Sequence, residues 1–316
     1  MAERCFVGFD TSNYTTSAAI CNDAGEIVAN IKRPLPVADG ACGLRQSDAV
    51  FAHVKNLPSV CEELREKLAG RQIAAVGVSA TPRQAEDSYM PCFLSGIAAA
   101  EAFAAACNAP VFRFSHQDGH VRAAVYSAGA DQSLLASRFA AFHVSGGTTE
   151  ILSVEPCRDG FSISLVGETA DLNAGQLIDR VGVMMGLAFP CGKEIERLAS
   201  EWSGELPQVK TCVKDCVCNL SGLQNIAQSL WEKEKNPALV SAYVLACVAK
   251  TLQKMTAQLD QKIPGLPIVY AGGVMSNRYL QSVLSRRSNT YFAEPAFSAD
   301  NAAGTALLCR DKFLRQ

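Results

Sequence analysis

Two of the four histidines in this chain of 316 residues, His116 and His120, lie four positions apart. Residues i and i+4 are neighbours on one face of an α-helix, and apolar residues recur at helical spacing from about 116 to 127. Two imidazoles on one helix face suit the chelation of a divalent metal. The alternative is a pair of solvated or core histidines, because a metal site also needs a third ligand, often a carboxylate.

Three turns have the composition of anion-binding loops. They are Asp10-Thr11-Ser12, Ser145-Gly146-Gly147-Thr148-Thr149 and Ala271-Gly272-Gly273-Val274-Met275-Ser276-Asn277. Backbone N–H groups and hydroxyls in such turns bind an anion without a lysine, and glycine allows a close approach of the backbone. The third turn joins a strand to a helix, a place that suits a phosphate or nucleotide. Each turn is equally compatible with an ordinary tight connection.

Strand and helix patterns place these residues at the ends of regular elements. Strands are predicted at 5–9, 17–21, 26–31, 72–79, 110–114, 139–144, 150–154, 161–165 and 267–270. Helices are predicted at 49–54, 59–68, 93–107, 116–127, 175–187, 237–259 and 301–314. The strand–turn–strand–strand order occurs twice, each time followed by helices, which predicts a duplicated α/β lobe. Two such hairpins facing each other would clamp a phosphate chain between the lobes.

Length and charge exclude several classes of protein. The chain has 29 Lys and Arg against 31 Asp and Glu, a net charge of −2, so it lacks the basic surplus of proteins that wrap nucleic acid. Any nucleic-acid contact must therefore be local. A chain of 316 residues exceeds what one hydrophobic core usually serves, which predicts two lobes. The most apolar stretch, 93–112, contains Glu101 and Pro110, so no membrane span is expected.

The 13 cysteines are expected to be reduced packing residues. The N-terminal residues do not resemble a signal peptide, so an oxidising compartment is not expected. The closest cluster lacks the paired spacing of zinc knuckles: Cys212, Cys216 and Cys218. Others lie among apolar residues, where a free thiol behaves as a small core residue: Cys107, Cys247 and Cys309.

A series of short motifs in a fixed order runs nearly from end to end. The motifs are Asp10-Thr11-Ser12, His116-Gln117-Asp118-Gly119-His120, Val144-Ser145-Gly146-Gly147, Gly167-Glu168-Thr169, Leu187-Ala188-Phe189-Pro190-Cys191-Gly192, Leu220-Ser221-Gly222-Leu223, Ala271 to Asn277, and Asp300-Asn301-Ala302-Ala303. This order resembles the TsaD/YgjD family, the tRNA threonylcarbamoyladenosine synthases formerly described as O-sialoglycoprotein endopeptidases. The resemblance implies an α/β fold of the actin/hexokinase/Hsp70-like (ASKHA) type, with two lobes and a duplicated α/β domain. The first lobe is expected at 1–137, with 298–316 returning to it, and the second at 138–297.

The resemblance also implies a set of site residues. His116, His120 and Asp300 would bind one divalent metal, Fe or Zn, because two imidazoles and a carboxylate leave open positions for a substrate. An adenine nucleotide (ATP, ADP, AMP or threonylcarbamoyl-AMP) would contact Val144, Ser145, Gly146, Gly147, Thr148, Asp179, Gly192, Glu196, Gly272, Gly273 and Asn277. Catalytic roles fall to Asp10 and Ser12.

The implied reaction is the metal-dependent transfer of a threonylcarbamoyl group from threonylcarbamoyl-AMP to adenosine in tRNA, which would make the protein a cytoplasmic acyl- or carbamoyltransferase. Implied partners are TsaB-like and TsaE-like proteins, in a dimer or hetero-complex. Local tRNA contacts would come from cations that are equally compatible with solvated helix faces: Arg286, Arg287, Arg310, Lys312 and Arg315.

The departures from the family pattern concentrate at the expected site. After Asp-Thr-Ser the family usually has Cys and two acidic residues, where this chain has Asn13-Tyr14-Thr15. The histidine of the family's S-G-G-H-T turn is replaced by Thr148, and the acidic pair after G-E-T is Asp171-Leu172. Acidic groups at such places act as bases or orient an amine. The pattern is therefore typical of a divergent paralogue.

Three functions stay open at this point. The retained metal ligands favour a threonylcarbamoyl- or related transferase. The missing acids favour a catalytically altered paralogue that binds an adenine nucleotide and a metal as a partner or regulatory protein. A glycoprotease ranks last, since His116-Gln117-Asp118-Gly119-His120 lacks the glutamate of an H-E-x-x-H site.

Overall fold

The computed structural model describes residues 3–12, 14–36, 44–298 and 300–316. The chain divides into two compact units, which we describe separately. Unit 1 comprises Met1–Gly129, Pro156–Ile163 and Ala296–Gln316, and unit 2 comprises Ala130–Glu155 and Ser164–Pro295. Sequence analysis placed the first division after residue 137 and the return at 298. In the structure the division follows Gly129, the return begins at Ala296, and the short segment Pro156–Ile163 also belongs to unit 1.

The described part of the chain forms the following elements. The strands are β1 (Glu3–Asp10), β2 (Thr15–Asn22), β3 (Ile27–Pro34), β4 (Arg71–Thr81), β5 (Val111–Ser115), β6 (Phe139–Val144), β7 (Thr149–Cys157), β8 (Gly160–Glu168), β9 (Cys212–Lys214), β10 (Val217–Asn219), β11 (Ile268–Ala271) and β12 (Thr290–Phe292). The helices are α1 (Gln46–Lys67), α2 (Phe93–Cys107), α3 (His116–Ser127), α4 (Asp131–Leu134), α5 (Ala174–Met184), α6 (Gly192–Ser200), α7 (Ser221–Glu234), α8 (Pro237–Lys262), α9 (Arg278–Leu284), α10 (Pro295–Ser298) and α11 (Ala303–Leu314), with a 3₁₀ turn at Gly273–Ser276.

The sheet of unit 1 has the order β3-β2-β1-β4-β5. The first three strands are antiparallel neighbours, and β4 and β5 continue parallel to β1. Residues 5–10 of β1 are all buried, as expected for a central strand whose two faces are covered by helices. This sheet carries Asp10 at the carboxyl end of β1, where ligands of open α/β sheets commonly lie.

Helix α1 differs from the prediction. Sequence analysis predicted two helices, 49–54 and 59–68, whereas one helix runs from Gln46 to Lys67 with Pro58 inside it. The buried positions Ala49, His53, Val60 and Leu64 continue along one face across the proline. Packing of this continuous face therefore outweighs the backbone hydrogen bond that the proline removes.

Helices α3 and α11 of unit 1 cross at two glycines. A Cβ atom at Gly304 would lie 1.8 Å from the carbonyl oxygen of Gly119, so no other residue fits there without a backbone shift. A Cβ atom at Gly119 would lie 3.1 Å from the Thr305 hydroxyl oxygen. The two helices are therefore held backbone to backbone, with Arg122 of α3 paired to Asp311 of α11 at 2.8 Å.

The sheet of unit 2 repeats the arrangement of unit 1. Its order is β12-β11-β6-β7-β8, with β6 antiparallel to β7 and parallel to β11. Position by position, β8-β7-β6-β11-β12 corresponds to β3-β2-β1-β4-β5, which confirms the predicted duplication. The helix predicted after the third glycine turn is α9, whereas α6, α7 and the β9–β10 hairpin, which are short or partly polar, were not predicted.

The long helix α8 forms the centre of the core of unit 2. It begins where the Asn236 side chain accepts a hydrogen bond from the Leu239 N–H at 3.1 Å, with Pro237 in the first turn. Most of its residues from Leu239 to Leu259 are buried. Among the described residues, no helix is both long and apolar enough to span a bilayer.

The described cysteines are free thiols. Cys247 and Cys309 are buried as predicted, and burial raises the pKa of Cys247 to about 11. Cys107, at the end of α2, is exposed, so the prediction that it packs in the core was wrong. The buried positions of the helix, among them Ala100 and Ala104, end before its last residue, which is Cys107.

Candidate functional site

The two histidines of α3 lie against Asp300 in unit 1. The Asp300 Oδ1 is 3.3 Å from the Nε2 of His120 and 3.6 Å from the Nε2 of His116. One ligand atom from each of the three residues lies within 4.8 Å of the other two. The imidazole rings are 4.2 Å apart, and each of the three side chains is about one-fifth exposed. The structure therefore brings together the three residues that the family resemblance implied as metal ligands.

The start of α3 is set by a capping box. The Ser115 hydroxyl accepts a hydrogen bond from the Asp118 N–H at 3.1 Å, and the Asp118 carboxylate accepts one from the Ser115 N–H at 3.1 Å. This cap fixes the first residue of the helix. His116 is that residue, so it lies at the open end of the helix, and His120 follows one turn later on the same face.

Asp300 is held by the segment that leads into α11. The Lys32 ammonium of β3 donates to the Ala296 carbonyl at 2.6 Å, and the Asn301 side-chain amide donates to the Phe297 carbonyl at 3.1 Å. The close crossing of α11 with α3 then brings this segment to the histidines. The proximity of Asp300 to the histidines could not be predicted from local sequence, because it depends on the contact between Gly119 and Gly304.

Beneath His116 lies a fully buried carboxylate, Asp10. The His116 Nδ1 is 2.7 Å from the Asp10 Oδ2, and the Ser79 hydroxyl donates to the same oxygen at 2.5 Å. The other oxygen, Oδ1, accepts the Ser12 N–H at 2.8 Å. Asp10 therefore contacts a candidate metal ligand rather than open solvent.

These contacts shift the pKa values of the acidic and imidazole groups. Burial alone would raise the pKa of Asp10, but the charge and hydrogen bond of His116 lower it below its usual range. Burial would lower the pKa of His116, but the Asp10 carboxylate raises it to about 10. For Asp300, hydrogen bonds from both histidines outweigh burial and lower the pKa. Without a metal, the cluster thus contains two carboxylates and a protonated His116.

The donor set of this cluster fits a divalent metal. Two imidazole nitrogens and one carboxylate oxygen leave coordination positions for substrate oxygen, as in other open sites of this composition. Such a set suits Fe or Zn. One ligand atom from each residue lies within 4.8 Å of the other two, so α3 and the segment before α11 bring the donors to one place.

Ser12 is the second residue to which a catalytic role was assigned. It is 2 % exposed, and its hydroxyl has no hydrogen-bond partner among the residues that the structure describes. Its backbone N–H binds Asp10, so the residue belongs to the polar layer around the cluster. The neighbouring Asn13 lies outside the described residues.

In unit 2, the glycine turn after β6 is tightly closed. The Ser145 hydroxyl accepts hydrogen bonds from the N–H groups of Gly147 at 3.2 Å and Thr148 at 3.1 Å, and the Ser145 N–H donates to the Thr148 carbonyl at 2.7 Å. Gly146 and Gly147 are exposed, and no atom lies within 4 Å of a Cβ placed on either. The turn therefore has an open side that a ligand can approach.

Two other glycines hold neighbouring segments against this turn. A Cβ atom at Gly175, in α5, would lie 2.6 Å from the Gly146 nitrogen. Gly272 has a φ of +99°, and a Cβ atom there would lie 2.3 Å from the Val144 carbonyl oxygen. The predicted nucleotide residues Val144, Gly146 and Gly272 thus belong to one packed group, which Gly175, missed in the sequence, completes.

The other predicted nucleotide residues order the ends of helices. Asp179 accepts the Cys191 N–H at 2.8 Å beside Gly192, the first residue of α6. Glu196 of α6 accepts the Arg278 N–H at 2.7 Å. Asn277 caps α9 by accepting the Leu280 N–H at 3.0 Å. The Glu196 contact joins α6 to the start of α9, and Asp179 holds the residue before α6.

A cavity of about 690 Å³ opens at that junction. Its lining from α6, α8, α9 and the segment after α6 includes Lys193, Glu196, Arg197, Trp202, Arg278 and Tyr279. Guanidinium and aromatic groups are suited to stack on a planar ring. The cavity was not predicted from the sequence because α6 was not predicted; the Asn277-Arg278 pair after the glycine turn, at the start of the predicted helix, was the available signal.

Most of the cations proposed for tRNA contacts are engaged within the protein. Arg287 forms a bidentate ion pair with Asp260, with Nη2 2.6 Å from Oδ1 and Nε 2.9 Å from Oδ2. Arg310 donates to the Asp23 carbonyl at 2.7 Å, Lys312 pairs with Asp159 at 2.7 Å, and Arg315 donates to the Cys157 carbonyl at 2.6 Å. Among the described residues, Arg286 alone of this set is exposed with neither an ion pair nor a hydrogen bond from its side chain.

The retained acid after Gly167-Glu168-Thr169 has a structural partner. The Asp171 carboxylate accepts the Leu220 N–H at 2.8 Å and the Ser221 hydroxyl at 2.5 Å. Burial would raise its pKa, but these hydrogen bonds lower it to about 2. Leu172, where the family usually has a second acid, is buried in the core of unit 2. Asp171 therefore anchors the start of α7.

The fold defines the class of protein. A crystal structure of a ROK family protein from Streptococcus pneumoniae in complex with sucrose is similar with a TM-score of 0.57 and 12% identity, covering 99% of this chain and 98% of that one. An activator of 2-hydroxyisocaproyl-CoA dehydratase from Clostridium difficile is similar with a TM-score of 0.52 and 17% identity, over 98% and 96% of the two chains. The chain has the two-lobed ASKHA fold that the sequence predicted.

The family follows from the sequence comparisons. The model of the TsaD family, tRNA N6-adenosine threonylcarbamoyltransferase, matches residues 41–307. A tRNA N6-adenosine threonylcarbamoyltransferase of Streptococcus sanguinis is 31% identical over 297 residues, which cover 90% of this chain and 84% of the relative. That of Streptococcus gordonii is 30% identical over 296 residues with the same coverage. The chain belongs to the TsaD family.

Proposed function

We propose that this protein transfers a threonylcarbamoyl group from threonylcarbamoyl-AMP to the exocyclic amine of adenosine in tRNA, in the cytoplasm, with one divalent metal bound. The observation that carries the proposal is the assembly of His116, His120 and Asp300 in a member of the TsaD family. Retention of a complete donor set is expected for a protein that still uses the metal.

The metal would be Fe or Zn, held by the two Nε2 atoms and the Asp300 carboxylate. A metal bound there supplies Lewis acidity toward a phosphate or carbonyl oxygen. The protein's own contribution is orientation: α3 presents both imidazoles from one face, and the segment before α11 presents the carboxylate. Exposure of about one-fifth at each ligand leaves one side of the cluster open to substrate.

We assign the AMP part of the substrate to unit 2. The open side of the turn at Gly146 and Gly147 suits a phosphate group, because glycine lets a ligand approach the backbone closely. The second oxygen of Asp179 and the side chain of Glu196 suit ribose hydroxyls. The cavity between α6 and α9 suits the adenine ring, with Arg278 beside it.

The partners are also a proposal. We expect TsaB-like and TsaE-like proteins to bind, and a dimer or hetero-complex to form. Support comes from α1 and α2, where Phe51 is 71%, Val54 is 55% and Leu94 is 50% exposed. Gel filtration with a purified TsaB-like protein tests this: Phe51→Asp should abolish co-elution, while Val183→Asp, at an exposed position of unit 2, should not.

The central test is AMP release from threonylcarbamoyl-AMP in the presence of tRNA, with the candidate partners added. We expect turnover by the metal-loaded protein and its loss after His116→Ala. Metal content is measured on the same samples, with His143→Ala as a control because His143 lies on β6 outside the cluster. Metal content unchanged in His116→Ala would contradict the metal assignment, and no turnover under any condition would contradict the transferase.

A catalytically altered paralogue is the second candidate. Leu172 is buried, Asp171 is committed to α7, and Tyr14 is exposed at the turn after β1, so these positions offer no free carboxylate. Such a protein would bind metal and an adenine nucleotide as a partner or regulatory subunit. Normal binding of AMP and metal without AMP release would support this function over the transferase.

A further inference from the structure

A chain of four buried or partly buried polar side chains links α11 to the metal cluster within unit 1. The Thr305 and Ser79 hydroxyl oxygens are 3.1 Å apart, Ser79 Oγ is 2.5 Å from Asp10 Oδ2, and that oxygen is 2.7 Å from His116 Nδ1. Thr305, Ser79 and Asp10 are each 0% exposed. Buried polar groups are as a rule hydrogen-bonded, and each of these four side chains has a partner within the series.

The direction of each hydrogen bond follows from the number of donors. The Asp10 carboxylate receives the Ser12 N–H on one oxygen and the Ser79 hydroxyl on the other. Because the single proton of Ser79 is directed to Asp10, the Thr305 hydroxyl must donate to Ser79. An ionised carboxylate only accepts, so His116 presents Nδ1–H to Asp10. Its other nitrogen, Nε2, then faces Asp300 at 3.6 Å.

We propose that Asp10 is a positioning residue that fixes the ring orientation and tautomer of His116 so that Nε2 carries the lone pair for the metal, with Ser79 and Thr305 holding Asp10 in place. The proposal rests on the metal site of the proposed function and replaces the catalytic role that sequence analysis gave to Asp10. A residue with no exposed surface cannot contact an acyl substrate directly, whereas it can act through the imidazole above it.

Loss of the Asp10 carboxylate should weaken metal binding. Carboxylates that accept the second N–H of a ligating histidine fix its tautomer and raise its basicity, and their loss typically costs about 10- to 100-fold in metal affinity. Asparagine has the same shape but can direct N–H groups at Nδ1, which favours the tautomer with the proton on Nε2. That proton would occupy the position of the metal.

The experiment measures Zn²⁺ affinity by competition with a chromophoric chelator, and the visible spectrum of the Co²⁺-substituted protein. We expect Asp10→Asn to weaken Zn²⁺ binding about 10- to 100-fold and to alter the Co²⁺ bands, and Ser79→Ala to weaken binding to a smaller extent. Asp171→Asn is the matched control, because Asp171 also accepts backbone and hydroxyl donors but lies in unit 2. Its Zn²⁺ affinity should equal that of the parent.

Affinity of Asp10→Asn within about twofold of the parent, alongside loss of binding in His116→Ala, would overturn the positioning role. Unchanged binding in His116→Ala would instead overturn the metal site, and this assignment with it. If Asp10→Asn does not fold, Ser79→Ala decides: weaker Zn²⁺ binding supports the role, and parental affinity with parental Co²⁺ bands overturns it.

Discussion

Gly119 of α3 and Gly304 of α11 meet backbone to backbone, with 1.8 Å between the Gly119 carbonyl oxygen and the place of a Cβ on Gly304. This contact determines how near Asp300, just before α11, lies to the histidines of α3. The separation of the candidate metal ligands is therefore set by two residues that offer no ligand atom.

Gly304→Ala should push α11 from α3, because the atoms in the way are backbone. We expect a loss of about 1–3 kcal/mol in the free energy of unfolding, together with weaker metal binding. Chemical denaturation and chelator competition measure the two effects. Gly222→Ala is the control: no atom lies within 4 Å of its Cβ, near the start of α7, so stability should be unchanged or slightly higher. Equal behaviour of both variants would contradict the close crossing.

The stability of the metal-free protein should depend on pH through His116. Its pKa is raised from 6.5 to about 10 by Asp10, so the pair stabilises the fold fully below pH 6.5 and loses this contribution as the pH rises through 10. The lowered pKa values of Asp10 and Asp300 give stability the opposite dependence on pH. These two carboxylates stabilise the fold above the ordinary pKa of 3.8, and this contribution is lost as the pH falls below that value.

Urea denaturation of chelator-treated protein at a series of pH values measures this effect. The free energy of unfolding should fall between neutral pH and pH 10 in the parent. His116→Gln, which keeps a polar side chain without an ionisable group, should show a smaller slope over the same range. Identical slopes would show that another group titrates.

Removal of the Asp171 carboxylate should loosen the start of α7. Asp171→Ala leaves the Leu220 N–H and Ser221 N–H without their partner, and loss of such a helix cap costs about 0.5–2 kcal/mol. Thermal unfolding is the measurement. Glu205→Ala, which removes an exposed carboxylate from the segment after α6, is the comparison, and an equal loss there would contradict the anchoring role.

Two glycines of unit 2 should respond in opposite ways to alanine. Gly147→Ala places a methyl group on the open side of the turn, so stability should persist while the Kd for AMP rises about tenfold, the equivalent of 1.4 kcal/mol. Gly175→Ala should lower stability, because its Cβ would lie 2.6 Å from the Gly146 nitrogen. Calorimetric titration with AMP and thermal unfolding separate the two, and unchanged AMP binding by Gly147→Ala would exclude the turn as the phosphate site.

Features that depend on neighbouring residues could be predicted from the sequence, whereas features that depend on contacts between distant residues could not. Helix α3 could be predicted because both its cap and its apolar spacing are local, and β6 because its residues form one apolar run. The role of Asp10 could not be predicted, because its partners Ser79 and His116 are distant in sequence. The residue type alone does not distinguish a buried carboxylate from a catalytic one. Helix α1 was divided at Pro58 because the packing that overrides a proline is tertiary.

The order of the chain has a consequence for the nascent protein. Unit 1 contains both the histidines and Ala296–Gln316, and all of unit 2 is synthesised between them. Since translation runs from the N-terminus, α3 emerges from the ribosome long before Asp300 does. Two imidazoles alone bind a divalent ion weakly, so tight binding of a metal at this cluster would wait for the synthesis of Asp300. Assembly of the proposed metal site would therefore follow the synthesis of the whole of unit 2.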